Sequence, residues 1–329
     1  MSDFFRREIT DLQFGLRDFV ANVDSALEDL IEGEGFSPDL FVAPGIPRIR
    51  PVLMLLSAYA TKKEDTVEKL EVEHLALAAE LFGAAILVHD AALGQQGGLR
   101  RRVARKLLGG AQKWIGGNLL TIRALELARH SSSEHVQELI DLMRDVSTAQ
   151  SQSQRWGCQI PPPADLREHF EKHTAALFSF TCRAGARVAG AERTAITALG
   201  RYGFHVGMAW NIAEEVYWLL RSEEEAIALI EAHANHKEPL YTLSLLAQER
   251  SEIQQHWEEI CQTGKGAAEI LSQIKRSSAI PGALEYIVAC TWSAQSAIKD
   301  VPTSPHRDAL IRLLSYLHRP LRDSYRTLG

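Results

Sequence analysis

Apolar positions recur along this chain at spacings of three and four. Near the start, Phe14, Leu16 and Phe19 are followed by Leu27, Leu30 and Ile31, the repeat that gathers side chains into one stripe of an α-helix. The same rhythm runs through Leu75, Ala78, Leu81, Phe82, Ala85 and Ile86, and again through Leu119, Ile122, Leu125 and Leu127. No alternating run of β-branched residues predicts a sheet. Interruptions are few: Pro44-Gly45-Ile46-Pro47, Gly94 to Gly98, Gly109-Gly110, Gly116-Gly117, Pro161-Pro162-Pro163, and Pro302 to Pro305. Each separates two helical patterns, so the chain is expected to be all-α, with about ten or more helices in one bundle. No stretch has the composition of a linker, and residues 1–329 are read as a single domain, with the triple proline as a tight corner between helices. Neither a fixed-period repeat nor a low-complexity tract is visible.

Charge and cysteine usage narrow the partners. A net charge of −6 gives no general reason to expect nucleic acid, and none is expected. Cys158, Cys182, Cys261 and Cys290 are widely spaced without a C-x-x-C pair, which fits reduced thiols better than a disulfide framework or a zinc site. The charged start Met1-Ser2-Asp3-Phe4-Phe5-Arg6-Arg7-Glu8 lacks the apolar core of a signal peptide. No apolar run reaches the ~18 residues of a membrane span, the closest approach, 75 to 93, being broken by Glu80, His89 and Asp90. A cytoplasmic protein without a transmembrane segment is expected.

Several ordered landmarks carry the chemistry. Gly45-Ile46-Pro47-Arg48-Ile49-Arg50-Pro51 comes first, then Glu80-Leu81-Phe82-Gly83-Ala84-Ala85-Ile86-Leu87-Val88-His89-Asp90, then Arg100-Arg101-Arg102. Gly117-Asn118-Leu119-Leu120 and His173-Thr174-Ala175-Ala176-Leu177-Phe178 follow. Tyr202-Gly203 and Gly207-Met208-Ala209-Trp210-Asn211 lead into Glu214-Glu215. In this order and spacing they resemble the G-G-K-R-x-R-P, E-L-I-H-x-x-S-L-I-H-D, R-R-G, G-D-x-L-L, K-T-A-x-L-F and Y-G…G-x-A-F-Q motifs of the trans-isoprenyl (polyprenyl) diphosphate synthases. The resemblance is clearest over residues 40 to 245. It implies the isoprenoid-synthase helical bundle around a central cavity, and a dimer formed through bundle helices.

That family ionises an allylic diphosphate, and the charge left on the pyrophosphate must be neutralised. Two D-D-x-x-D motifs on facing helices do this by clamping magnesium, since acids at i and i+4 share a helical face. The resemblance marks this chain as a degenerate member. In the first motif Asp90 remains, while Ala91 and Gly94 replace the other acids; in the second, Glu214 and Glu215 remain and Trp218 replaces the last. Asp90, Glu214 and Glu215 are thus the candidates for a weak, residual Mg2+ site. The competing reading makes the glutamates ordinary helical side chains, one solvated and one paired with an arginine.

For diphosphate, the resemblance implies Arg48, Arg50, Arg100 and Arg101, with His173 at the K-T lysine position and Lys172 beside it. Pro47 stands at a lysine position and Gly83 at a histidine position of the isopentenyl site. Phe82, Gly83, Ala85, Ile86, Phe178, Trp210 and Asn211 are expected to line the cavity. Gly83, Ala84 and Ala85 either leave a channel for a prenyl chain or permit close helix packing. Trp210, Tyr217 and Trp218 either fill the diphosphate region, line a pocket or pack in the core. The basic run Arg100 to Lys106 reads either as a site for phosphate or an anionic partner or as a solvated helix face, and the basic C-terminal stretch Arg312 to Arg326 either touches a membrane or packs on the bundle with its arginines outward.

A charge pair at about 4 Å is worth ~4 kcal/mol at an effective dielectric near 20, and about 1.4 kcal/mol is tenfold in rate. Loss of several metal ligands therefore argues against ordinary chain elongation. The expected function is a non-catalytic (pseudoenzyme) subunit or regulator in isoprenoid biosynthesis, as a homodimer or as a heteromer with an active prenyl synthase. Two alternatives stand beside it: a prenyl-diphosphate-processing transferase or hydrolase with altered metal use, and a prenyl-lipid-binding protein.

Overall fold

A computed structural model describes residues 16–33, 48–61, 69–93 and 110–328. Helices joined by short turns and irregular segments make up these residues, and no strand occurs among them. Helix α1 (Leu16–Gly33) buries Phe19, Val23, Leu27 and Ile31, one residue per turn on one stripe. Each such side chain contributes roughly 1.5–3 kcal/mol of burial. Helix α2 (Ile49–Thr61) places Pro51 in its first turn, where the missing N–H costs nothing. Helix α3 (Lys69–Ala92) is apolar and long enough to cross a membrane by composition, but most of it is buried inside the bundle.

Helix α4 (Gly110–Arg129) runs straight through Gly116-Gly117, which the sequence alone reads as an interruption. The reason is packing: a Cβ on Gly117 would meet the His89 ring at 2.3 Å, so the glycine admits α3 at close range within an unbroken helix. Helix α5 (Ser133–Trp156) starts at Ser132, whose hydroxyl accepts from the His135 N–H. It ends at Gly157 with φ +56. The triple proline forms the expected corner, with Pro163 opening α6 (Pro163–Phe170) and Pro161 O accepting from Ser244 Oγ at 2.5 Å.

A π-helical turn, Glu171–Ala175, separates α6 from α7 (Ala176–Val188). Helix α8 (Arg193–Leu220) is the central post, packed by the π turn, α7 and two later helices. Its glycines permit the contact: a Cβ on Gly207 would lie 2.7 Å from Ala175 Cα. The remainder comprises α9 (Glu223–Asn235), α10 (Tyr241–Glu249), α11 (Ile253–Thr263), α12 (Ala267–Lys275), α13 (Ala279–Ala297) and α14 (Pro305–Leu328). Helices α13 and α14 are those that close on α8. Buried apolar side chains from α1 to α14 form one continuous cluster.

Candidate functional site

A cavity of about 160 Å³ opens among α2, α3, the α5–α7 segment, α8 and α9. Gly83, Ile86, Phe178, Trp210 and Asn211 line it, joined by Arg50, His173, Glu214 and Glu215. Phe82 and Ala85 do not; both are buried in the helix-packing core. Trp156, Phe170 and Trp218 also face the cavity, and Phe178 meets Trp210 at 6.2 Å between ring centroids. Aromatic rings thus form much of its wall. Its volume is below the ~300–1,000 Å³ of ordinary small-molecule pockets.

The small residues Gly83 to Ala85 serve close packing. A Cβ on Gly83 would come within 2.6 Å of Arg50 Nη2, so the guanidinium lies directly over the glycine. Arg50 Nε donates to Glu80 Oε1 at 2.8 Å. The other face of Glu80 takes Arg48, whose Nη1 lies 3.2 Å from Oε2 while its Nε reaches Asp24 Oδ1 at 2.5 Å. Burial lowers the Arg48 pKa, but Glu80 and Asp24 outweigh it and hold the guanidinium above its ordinary value. Arg48 does not line the cavity, in contrast to the diphosphate role expected of it; its charge is matched inside the bundle. Arg100 and Arg101, with Gly94, lie outside the described residues.

Asp90 is fully buried and held by two side chains. His173 Nε2 stands 3.1 Å from both of its oxygens, and Gln150 Nε2 donates to Oδ1 at 2.8 Å. The π turn places His173 here, because the extra residue of the wider turn swings its ring under α3. His169 stacks on it at 5.1 Å and is itself fixed by Ala149 O, 3.2 Å from Nδ1. Lys172 turns the other way, to Glu168 at 2.7 Å, and does not line the cavity. The neighbouring His89 points to α4, with Nε2 3.2 Å from Asn118 Oδ1, and burial lowers its pKa.

Glu215 is committed as well. Its carboxylate accepts from the Tyr241 N–H at 2.7 Å, from the Thr242 N–H at 2.8 Å and from Thr242 Oγ1 at 2.6 Å. These are the free donors at the start of α10, so Glu215 caps that helix from across the bundle. Burial raises its pKa, and the three hydrogen bonds oppose the rise. Glu214 faces the cavity, and among the described residues no hydrogen bond or ion pair holds it. Arg221 pairs with Glu225 and lies over Tyr217 and Trp218 instead.

The family's magnesium does not fit this donor set. A Mg2+ ion takes oxygens in near-ideal octahedral geometry and is usually held by one or two carboxylates. Glu215 gives both of its oxygens to the α10 cap, and Gln150 and His173 take Asp90 Oδ1. Among the described residues no group of three or more His, Cys, Asp or Glu side chains converges on one point. The sequence singled out these carboxylates but gave no sign of Gln150 or the α10 amides that engage them.

The fold and the ordered motifs place the chain in a known family. Residues 39–273 match the polyprenyl synthetase family, and the chain belongs to it. It is 28% identical over 224 residues to heptaprenyl diphosphate synthase component 2 of Geobacillus stearothermophilus, covering 64% of this chain and 67% of that one. It is 25% identical over 287 residues to a short chain isoprenyl diphosphate synthase of Methanothermobacter thermautotrophicus, covering 84% and 87%. The fold superposes on Staphylococcus aureus heptaprenyl diphosphate synthase with a TM-score of 0.80 at 18% identity, covering 93% of this chain and 98% of that one. A Caulobacter crescentus polyprenyl synthase crystallised with calcium and isoprenyl diphosphate gives 0.79 at 22% identity, covering 96% and 97%.

Proposed function

We propose that this polyprenyl synthetase family member is a non-catalytic subunit or regulator that works by pairing with an active prenyl diphosphate synthase. The observation that carries the reading is the double commitment of Asp90 and Glu215, one from each acid motif, to bonds within the protein. Freeing either means breaking a buried polar contact, which costs about 1–3 kcal/mol per unmatched group before any metal is bound. The small, aromatic-walled cavity favours the same reading over storage of a prenyl lipid, for which about 160 Å³ is short.

Support for a partner comes from the surface. Trp114, Ile115 and Ile122 on α4 and Ile140 on α5 are exposed, and Ile115 and Ile122 share one helical face. Exposed large apolar side chains on two helices that pack together suit a protein interface. The Geobacillus relative is by name one component of a synthase, which agrees with a subunit role for this chain.

The test is to mix the purified chain with an active polyprenyl diphosphate synthase from the same cell, then measure the mass of the complex and the length of the product. A heteromer with altered rate or chain length is expected. A chain that associates with no synthase and leaves product length unchanged would sink the proposal.

A further inference from the structure

Trp292 on α13 is the most exposed large apolar side chain among the described residues, at 74%. It borders a groove of about 610 Å³ whose walls also include Leu284, Glu285, Val288 and Ala289 of α13 and Tyr325 of α14. Glu285 lies two helical turns before Trp292, so the two share one face. Lys299 follows Trp292 at the same interval, in the turn that ends α13. Arg307 holds that turn, its Nε donating to Ile298 O and its Nη2 to Lys299 O, both at 3.0 Å. Glu285 and Lys299 are exposed, and among the described residues no ion pair or hydrogen bond engages either side chain. Between these charges and the indole, Ala289 and Ser296 are small and exposed. The face thus reads acid, indole, base. Turned through a two-fold axis at Trp292, that order falls on its own complement.

We propose that this face of α13 is a self-association surface whose occupant is a second copy of the chain, set antiparallel across that axis. Trp292 of each copy enters the other's groove, and Ala289 and Ser296 leave room for the ring. Glu285 meets the partner's Lys299 at one end, and Lys299 meets the partner's Glu285 at the other. A parallel pairing would set like charges together, so the two ion pairs fix the register. Charge also selects a second copy over an anionic lipid surface, because the groove carries a carboxylate and no cation among its described walls. Helix α13 packs on α8, α10, α12 and α14, whereas α4, with its exposed Trp114 and Ile115, packs on α3 and α5. The two apolar surfaces are separate, and the pairing through α13 depends neither on a synthase bound at α4 nor on turnover.

The test is sedimentation velocity of the full chain over about a hundredfold range of concentration. The starting protein carries Ile115→Glu and Ile122→Glu, which takes the α4 face out of the measurement. A monomer–dimer equilibrium is expected. Adding Trp292→Ser should weaken it about tenfold or more. Glu285→Lys alone and Lys299→Glu alone should each weaken it by about the same factor, since each sets two like-charge pairs across the axis. An equimolar mixture of those two variants should recover the dimer, because every charge then meets its opposite. All three positions are exposed, so each Tm should stay within about 2 °C of the starting protein. A monomer at every concentration, a dimer indifferent to Trp292→Ser, or a mixture no stronger than its parts would overturn the proposal. Binding to phosphatidylserine vesicles that Trp292→Ser abolishes would also overturn it, by giving the face to lipid.

Discussion

Glu215 grips Thr242 twice, accepting its backbone N–H at 2.8 Å and its hydroxyl at 2.6 Å. A carboxylate from the second acid motif thus serves as the N-terminal cap of another helix. Replacing it with alanine leaves two backbone donors and a hydroxyl unmatched. Glu215→Ala should destabilise the protein by about 2–3 kcal/mol. Urea denaturation checks this, and a loss within about 0.5 kcal/mol would remove the cap from consideration.

The same residue sets a pH dependence. Burial raises its carboxyl above the ordinary 4.5 despite the three hydrogen bonds. The folded state then holds that proton more tightly than the unfolded state. Its contribution to stability is greatest below 4.5 and declines as pH rises through the raised folded-state pKa. Glu215→Gln lacks this slope, so the Tm advantage of the wild type over that variant should shrink as pH rises from 4.5. An advantage that grows with pH would reverse the assignment.

Glu80 holds two arginines in a place with little water. Its side chain and that of Arg48 are 3% and 5% exposed, so removing the acid takes from a buried cation one of its two carboxylate partners and leaves Asp24. Glu80→Ala should cost about 3–5 kcal/mol, far more than an exposed ion pair would. Chemical denaturation of the single variant measures it; a cost under about 1 kcal/mol would mean that water reaches Arg48.

Two glycines in the family-like motifs should respond differently to alanine. At Gly207 the new methyl meets backbone, Ala175 Cα at 2.7 Å, which cannot step aside. At Gly83 it meets the flexible end of Arg50 at 2.6 Å. Gly207→Ala should cost about 2–3 kcal/mol and Gly83→Ala about 1 kcal/mol or less. Thermal melts of both variants report the order, and equal losses would contradict it.

The pattern of apolar spacing carried the helices, and the ordered motifs carried the bundle, because both are written in local sequence. Gly116-Gly117 misled for a tertiary reason: Gly117 makes room for His89 from α3 within a continuous helix. Asp90, Glu214 and Glu215 were legible as candidates from the motifs alone. Their engagement was not, since Gln150, His173 and the start of α10 reach them only through the fold. The π turn at Glu171–Ala175 also lacks a sequence signature, and it decides that His173, not Lys172, faces Asp90.

The exposed apolar face of α4 gives the partner proposal a local test. Ile115→Glu with Ile122→Glu should weaken association with the synthase by about tenfold or more, through the lost apolar burial. The isolated chain should keep its stability within about 0.5 kcal/mol, because both side chains are exposed. Analytical ultracentrifugation of the mixture checks the first, and unchanged association would place the interface elsewhere.

The most direct measurement of the central claim is substrate consumption by the purified chain alone, with magnesium, isopentenyl diphosphate and allylic diphosphates of several lengths. Glu214→Gln runs alongside, chosen because Glu214 faces the cavity without capping a helix. The proposal predicts no product above the protein-free control for either protein. Magnesium-dependent chain elongation by the wild type, lost in Glu214→Gln, would contradict it and make Glu214 part of a working site.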